Sequence, residues 1–88
     1  MFYTYVTISL KDHTTYIGYT DDLVKRIKEH NLGKTKSIKY KLPVKLVYYE
    51  AYLDKNKARM REIELKKSSF KKKELFERIF KNNFGPFV

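Results

Sequence analysis

Tyr5, Tyr16, Arg26, His30 and Glu62 are the side chains whose types and spacing could do chemistry. A phenol can orient water or take its proton, but a free tyrosine titrates near ~10, so base work needs positive charge nearby. Arg26 offers a rigid fork of donors for an anion. His30 follows it by four residues, so on a helix the two lie one above the other. The imidazole can orient a water or a phenol, or relay a proton. Glu62 stands four after Ala58 and three before Leu65, on the stripe that those residues would bury. A carboxylate there costs free energy unless it is paired or binds a cation. Arg59 or Lys66 could pair with it, and the sequence leaves pairing and cation binding open. Each feature also has a plainer reading: tyrosines pack on half-buried sheets, surface arginines are solvated, and histidines at helix ends make structural hydrogen bonds.

These residues must be positioned by local elements. Residues 2–10 are rich in β-branched and aromatic types and read as a strand. Phe2, Val6, Ile8 and Leu10 share one face of it, and Tyr3, Tyr5 and Thr7 the other. Residues 14–19 read as a second strand after a tight turn around Lys11 and Asp12. Tyr5 and Tyr16 then meet on one face only if the connecting loop has an even residue count or a bulge intervenes. Opposite Gly18, Tyr5 would have space beside it. A helix from about Asp21 to Asn31 is expected, with Thr20 as N-cap, Asp21 and Asp22 at the positive end of the dipole and Gly33 at the exit. Its apolar stripe is Leu23, Val24 and Ile27.

Residues 34–42 read as a basic loop, and Val44 to Tyr52 as a third strand after Pro43. Asp54 is placed to cap a second helix running to about Lys67. Ser68 and Ser69 separate it from a third, about Phe70 to Asn82, striped by Leu75, Phe76, Ile79 and Phe80. Gly85 and Pro86 in the tail should end helical structure. The order β-β-α-β-α-α implies an α+β fold: a small three-stranded antiparallel sheet with about three packed helices, in one domain over residues 1–88.

Composition narrows the partner. The 88 residues carry 20 Lys and Arg against 10 Asp and Glu, a net charge of +10. Residues 1–30 are neutral overall, 31–50 carry a surplus of four positive charges and 51–88 a surplus of six. Such a gathered charge suits a polyanion, most often nucleic acid, although a lysine-rich solubilising surface would look similar. The absence of cysteine excludes disulfides, Cys-based zinc sites and a thiol nucleophile. Without a membrane-spanning run or a signal-peptide core, an intracellular, cytoplasmic protein is expected, a monomer by default.

Together the motifs resemble a known family. Tyr3-Thr4-Tyr5, then Tyr16-Ile17-Gly18, Arg26, His30 and Glu62 resemble the GIY-YIG nuclease superfamily, closest to its small stand-alone single-domain bacterial and archaeal members. The run YIGYTDDLVKRIKEHN follows that group's Y-x-G-x-T-x-D-L-x-x-R-x-x-x-H pattern. GKTKSIKYKLPVKLVYYE and REIELKK resemble its later blocks, so the likeness covers residues 2–75. The departure is at the first motif, where Tyr3 and Thr4 replace Gly and Ile. Tyr5, at the position of the family's functional tyrosine, is kept.

The resemblance implies a GIY-YIG-like fold and a metal-dependent endonuclease hydrolysing nucleic-acid phosphodiesters, DNA more than RNA, in repair or recombination. It implies one divalent metal, Mg²⁺ or Mn²⁺, with Glu62 as its ligand. Tyr16 would activate water with help from Tyr5, Arg26 would stabilise phosphoryl charge, and His30 would orient water or relay a proton. Lys34, Lys36, Lys39 and Lys41 would hold backbone phosphates, which adds affinity without sequence information. The competing expectation is a binding module on the same fold that cuts weakly or not at all.

Overall fold

The structure, a computed structural model, is described over residues 1–81. Strands β1 (Phe2–Ser9) and β2 (Thr15–Thr20) lead into α1 (Leu23–Asn31), a 3-10 helix (Lys36–Lys41) and β3 (Val44–Tyr52). Helices α2 (Lys55–Lys67) and α3 (Ser69–Phe76) follow, the latter running into a π-helical turn (Glu77–Lys81). The sheet is antiparallel with order β2-β1-β3. The α+β architecture read from the sequence is the one observed. Expectations for Asn82 and for the Gly85–Pro86 tail lie outside the described residues.

Being central, β1 is covered on both faces, and four successive residues, Thr4, Tyr5, Val6 and Thr7, are buried. On one face Val6 and Ile17 pack against Leu65, Leu75 and Ile79, with Val47, Tyr48, Phe76 and Phe80 around them. Burying Leu65 and Leu75 there contributes about 2 kcal/mol each. A bulge in β3 sets Val6 opposite Tyr48 and Thr7 opposite Leu46, so Val47 is the extra residue. The other face carries Tyr5, Tyr16 and Gly18.

The hairpin meets the parity condition. Ser9 N donates to Thr14 O at 2.8 Å, and the four residues between them are an even count. Register pairs Tyr5 with Gly18 and Thr7 with Tyr16, so the two tyrosines share a face. His13 takes the left-handed conformation at φ 63° to close the turn.

Several local expectations are corrected. Asp22, not Thr20, caps α1: its carboxylate accepts from Lys25 N at 3.1 Å, while Thr20 is still paired in β2. Asp21 and Asp22 therefore precede the helix rather than filling its first turn. Val24 is 67% exposed, and the helix instead buries His30. Leu10 lies in the turn and is exposed, off the apolar face. The basic loop contains the 3-10 helix, anchored by buried Ile38. The third helix begins at Ser69, and its stripe extends through the π-helical turn, where Ile79 joins the core. Asp54 and Ser68 cap α2 and α3 through Asn56 N and Lys71 N.

Polar side chains help to tether the helices to the sheet. Asn31 brackets the backbone of Val44, accepting from its N–H at 2.8 Å and donating to its carbonyl at 3.1 Å. Arg61 on α2 reaches Glu50 on β3 through Nε at 3.0 Å and Nη2 at 3.1 Å. Tyr48 and Tyr52 also donate to that carboxylate. Burial opposes its ionisation, yet these donors hold the Glu50 carboxyl below the ordinary carboxylate value.

Candidate active site

Gly18 decides how the hairpin presents its phenols. A Cβ at that position would stand 2.5 Å from Cζ of Tyr5, so the Tyr5 ring occupies the space that the missing side chain leaves. The phenol is thereby fully buried. Its ring centroid lies 6.3 Å from that of Tyr16 and 5.8 Å from that of His30. Tyr16 meets the His30 ring edge-on at 5.2 Å. These three rings form the floor of the site.

His30 reaches it from the last turn of α1. The helix ends at Asn31, and two residues on Gly33 takes a φ of +81° and turns the chain. The imidazole is fully buried and bonded at both nitrogens: Nε2 to Tyr5 Oη at 2.7 Å and Nδ1 to Thr35 Oγ1 at 2.5 Å. Burial, then the charge of Arg26, pushes its pKa below the ordinary value, with Glu29 opposing. The ring is thus held neutral.

Arg26, one turn earlier, pairs with Glu29 at 3.3 Å, and its positive charge acts on the Tyr5 phenol. Its side chain stays 33% exposed, which leaves donors for an incoming anion. The Tyr5 pKa is pushed up to about 12, chiefly by burial and then by neighbouring Tyr16, while Arg26 opposes and Glu62 adds to the rise. Tyr5 therefore stays protonated. Tyr16, partly exposed, is the phenol that water can meet.

Glu62 projects from α2 toward the same group. Lys66, one turn on, holds its Oε2 at 2.9 Å and lies 5.7 Å over the Tyr16 ring. The five residues singled out in the sequence are thus brought together, and the carboxylate stands on the side of Tyr16. Of the two candidate partners for Glu62, Lys66 makes the pair. Among the described residues, Glu62 Oε1 has no hydrogen-bond donor, and no group of three His, Cys, Asp or Glu could form a protein cage for a metal. One hard carboxylate oxygen suits a cation such as Mg²⁺, which keeps most of its waters. The donor set fits a water-completed ion.

The four lysines of the basic loop differ in their contacts. Lys34, Lys36 and Lys39 are exposed on the 3-10 helix and its approach. Lys41 is engaged instead, donating to Thr14 Oγ1 at 3.0 Å and pairing with Asp12 at 3.9 Å.

Sequence reasoning missed Thr35, the placement of Lys66 over Tyr16, and the Glu50–Arg61 tether. Helical spacing already placed Lys66 beside Glu62. Nothing local signalled Thr35, because its approach to His30 depends on the reversal at Gly33.

Residues 1–76 match the family described as the GIY-YIG catalytic domain. The chain belongs to the GIY-YIG family. It is 42% identical over 73 residues to the UPF0213 protein YazA of Bacillus subtilis, covering 82% of this chain and 74% of that protein. With the UPF0213 protein SpyM50708 of Streptococcus pyogenes it shares 43% identity over 74 residues, 83% of this chain and 79% of the relative. The solution NMR structure of the UPF0213 protein BH0048 from Bacillus halodurans superimposes with a TM-score of 0.54 at 36% identity, covering 91% of this chain and 86% of that one. This GIY-YIG chain is accordingly a small nuclease-family domain, and that membership implies a nucleic-acid substrate. Among the described residues, no helix is long and apolar enough to cross a membrane.

Proposed function

We propose that this GIY-YIG domain hydrolyses phosphodiester bonds in nucleic acid, DNA in preference to RNA, as a monomer acting in the cytoplasm. The observation that carries the reading is the pairing of two phenols of unequal burial with Arg26, His30 and Glu62 in one cluster. Tyr16, open to water, orients the attacking molecule or, as its phenolate, takes its proton. Oxygen bonds to phosphorus, the opposite P–O ester bond breaks, and a phosphate monoester and a hydroxyl result. Arg26 donates to the phosphoryl oxygens as their charge grows. His30, neutral and buried, fixes the Tyr5 hydroxyl rather than meeting substrate. Lys34, Lys36 and Lys39 hold flanking phosphates, with Lys41 joining them if its bonds to Asp12 and Thr14 exchange.

Glu62 would hold a divalent metal, Mg²⁺ or Mn²⁺, which when bound supplies Lewis-acid stabilisation of a phosphoryl oxygen. The Glu62–Lys66 pair favours a second reading, a module that binds nucleic acid without cutting. Incubating the protein with labelled single-stranded, duplex and branched DNA and RNA, in Mg²⁺, Mn²⁺ or EDTA, separates the two. Cleavage that needs the metal supports hydrolysis. Retention of labelled strands with no cleavage in any metal supports the binding module.

A further inference from the structure

The buried imidazole of His30 stands between two hydroxyls, Tyr5 Oη at 2.7 Å and Thr35 Oγ1 at 2.5 Å. A neutral imidazole has one N–H and one bare nitrogen, so one hydroxyl must donate to it and the other accept. The Tyr5 end shows which arrangement is present. The Tyr5 hydroxyl is fully buried, so its proton needs an acceptor within the protein. Among the described residues, His30 Nε2 is the acceptor bonded to it. Nε2 is then bare, Nδ1 carries the proton, and Thr35 Oγ1 accepts.

Thr35 also occupies an N-cap without capping. It precedes the 3-10 helix with extended backbone, yet its side chain makes no capping hydrogen bond there. A threonine in that place ordinarily offers its oxygen to the first free N–H groups. Here the hydroxyl is given to the imidazole instead.

We propose that Thr35 is a positioning residue that holds His30 in the Nδ1–H tautomer and so aims the Tyr5 proton at Nε2. Both hydrogen bonds then run one way, from Tyr5 through His30 to Thr35. In the opposite tautomer Nε2–H would donate to Tyr5, and the buried phenol proton would be left without an acceptor. The tautomer claim stands by itself, whereas its consequence for rate rests on the hydrolytic reading above.

Long-range ¹H–¹⁵N NMR correlation on the full labelled chain near neutral pH reads the tautomer directly. We expect Nδ1–H for His30 in the wild type and in Thr35→Ser. Thr35→Val keeps the shape but lacks the acceptor, and should move the ring to Nε2–H. A wild-type ring protonated on Nε2, or a valine variant with the wild-type tautomer, overturns the proposal. On labelled DNA, Thr35→Val should lower kcat about ten- to hundredfold with KM unchanged, and serine should restore it. A flipped tautomer with unchanged kcat would also overturn the positioning role. If the wild type cuts none of the labelled substrates, the hydrolytic reading fails, and the NMR result alone decides the role of Thr35.

Discussion

Tyr5 fills the place of the side chain that Gly18 lacks: a Cβ there would lie 2.5 Å from Cζ and 2.9 Å from Cε1 of the ring. The contact is between a rigid ring and a strand backbone, so neither yields cheaply. Gly18→Ala should therefore lower stability by about 1–3 kcal/mol and displace Tyr5 from His30. Thermal unfolding and the His30 NMR signals check it. An unchanged melting temperature would show that the hairpin opens at no cost.

The two phenols should separate in mutagenesis. Tyr16→Phe should leave the melting temperature nearly unchanged and reduce cutting by about a hundredfold or more, as loss of acid–base assistance does. Tyr5→Phe removes a buried donor to His30 and should lower stability by about 1–3 kcal/mol as well as activity. Equal effects of the two variants on stability and cutting would deny the division of roles.

Glu62→Gln preserves shape and removes charge. Its pair with Lys66 is one helical turn apart, with Lys66 48% exposed, and such a pair contributes only about 0.3–0.5 kcal/mol. The variant should thus melt within a degree or two of the wild type yet lose cutting. Several degrees of destabilisation with wild-type cutting would make Glu62 structural.

Acid should weaken the fold through His30. Its folded pKa lies below the ordinary 6.5, because burial and then Arg26 disfavour the charged ring. The unfolded chain therefore takes up the proton first. The stabilisation is complete above about 6.5 and is lost as pH falls below that value. Melting temperatures measured between about pH 7.5 and 5 should decline in the wild type and stay flatter in His30→Gln. Parallel curves would contradict it.

Binding should follow salt rather than sequence. Contacts to about four to six phosphates give a log–log slope of affinity against salt of roughly −3 to −5. Fluorescence anisotropy on two unrelated oligonucleotides of equal length checks both points. A slope near zero, or a large affinity difference between the two, would exclude a phosphate-led interface.

The pattern of single elements was legible along the chain because it is local. Alternation set β1, Gly33 marked the end of α1, and Asp54 and Ser68 announced α2 and α3, since caps and periodicity depend on neighbours a few residues away. The set Tyr5, Tyr16, Arg26, His30 and Glu62 was visible instead through the likeness of four separate segments to one family. What these residues meet was decided only by the tertiary structure. β1 is central, so Thr4, Tyr5, Val6 and Thr7 are all buried, against the one-sided alternation of an edge strand. Val24 faces solvent and His30 faces inward, in a helix whose Asn31 is tied to Val44 of β3, thirteen residues away. Thr35 reaches His30, and Lys66 overlies Tyr16, through chain reversals and helix placement that no short-range pattern encodes. Local sequence carries local geometry, whereas burial and hydrogen-bond partners belong to the packed whole.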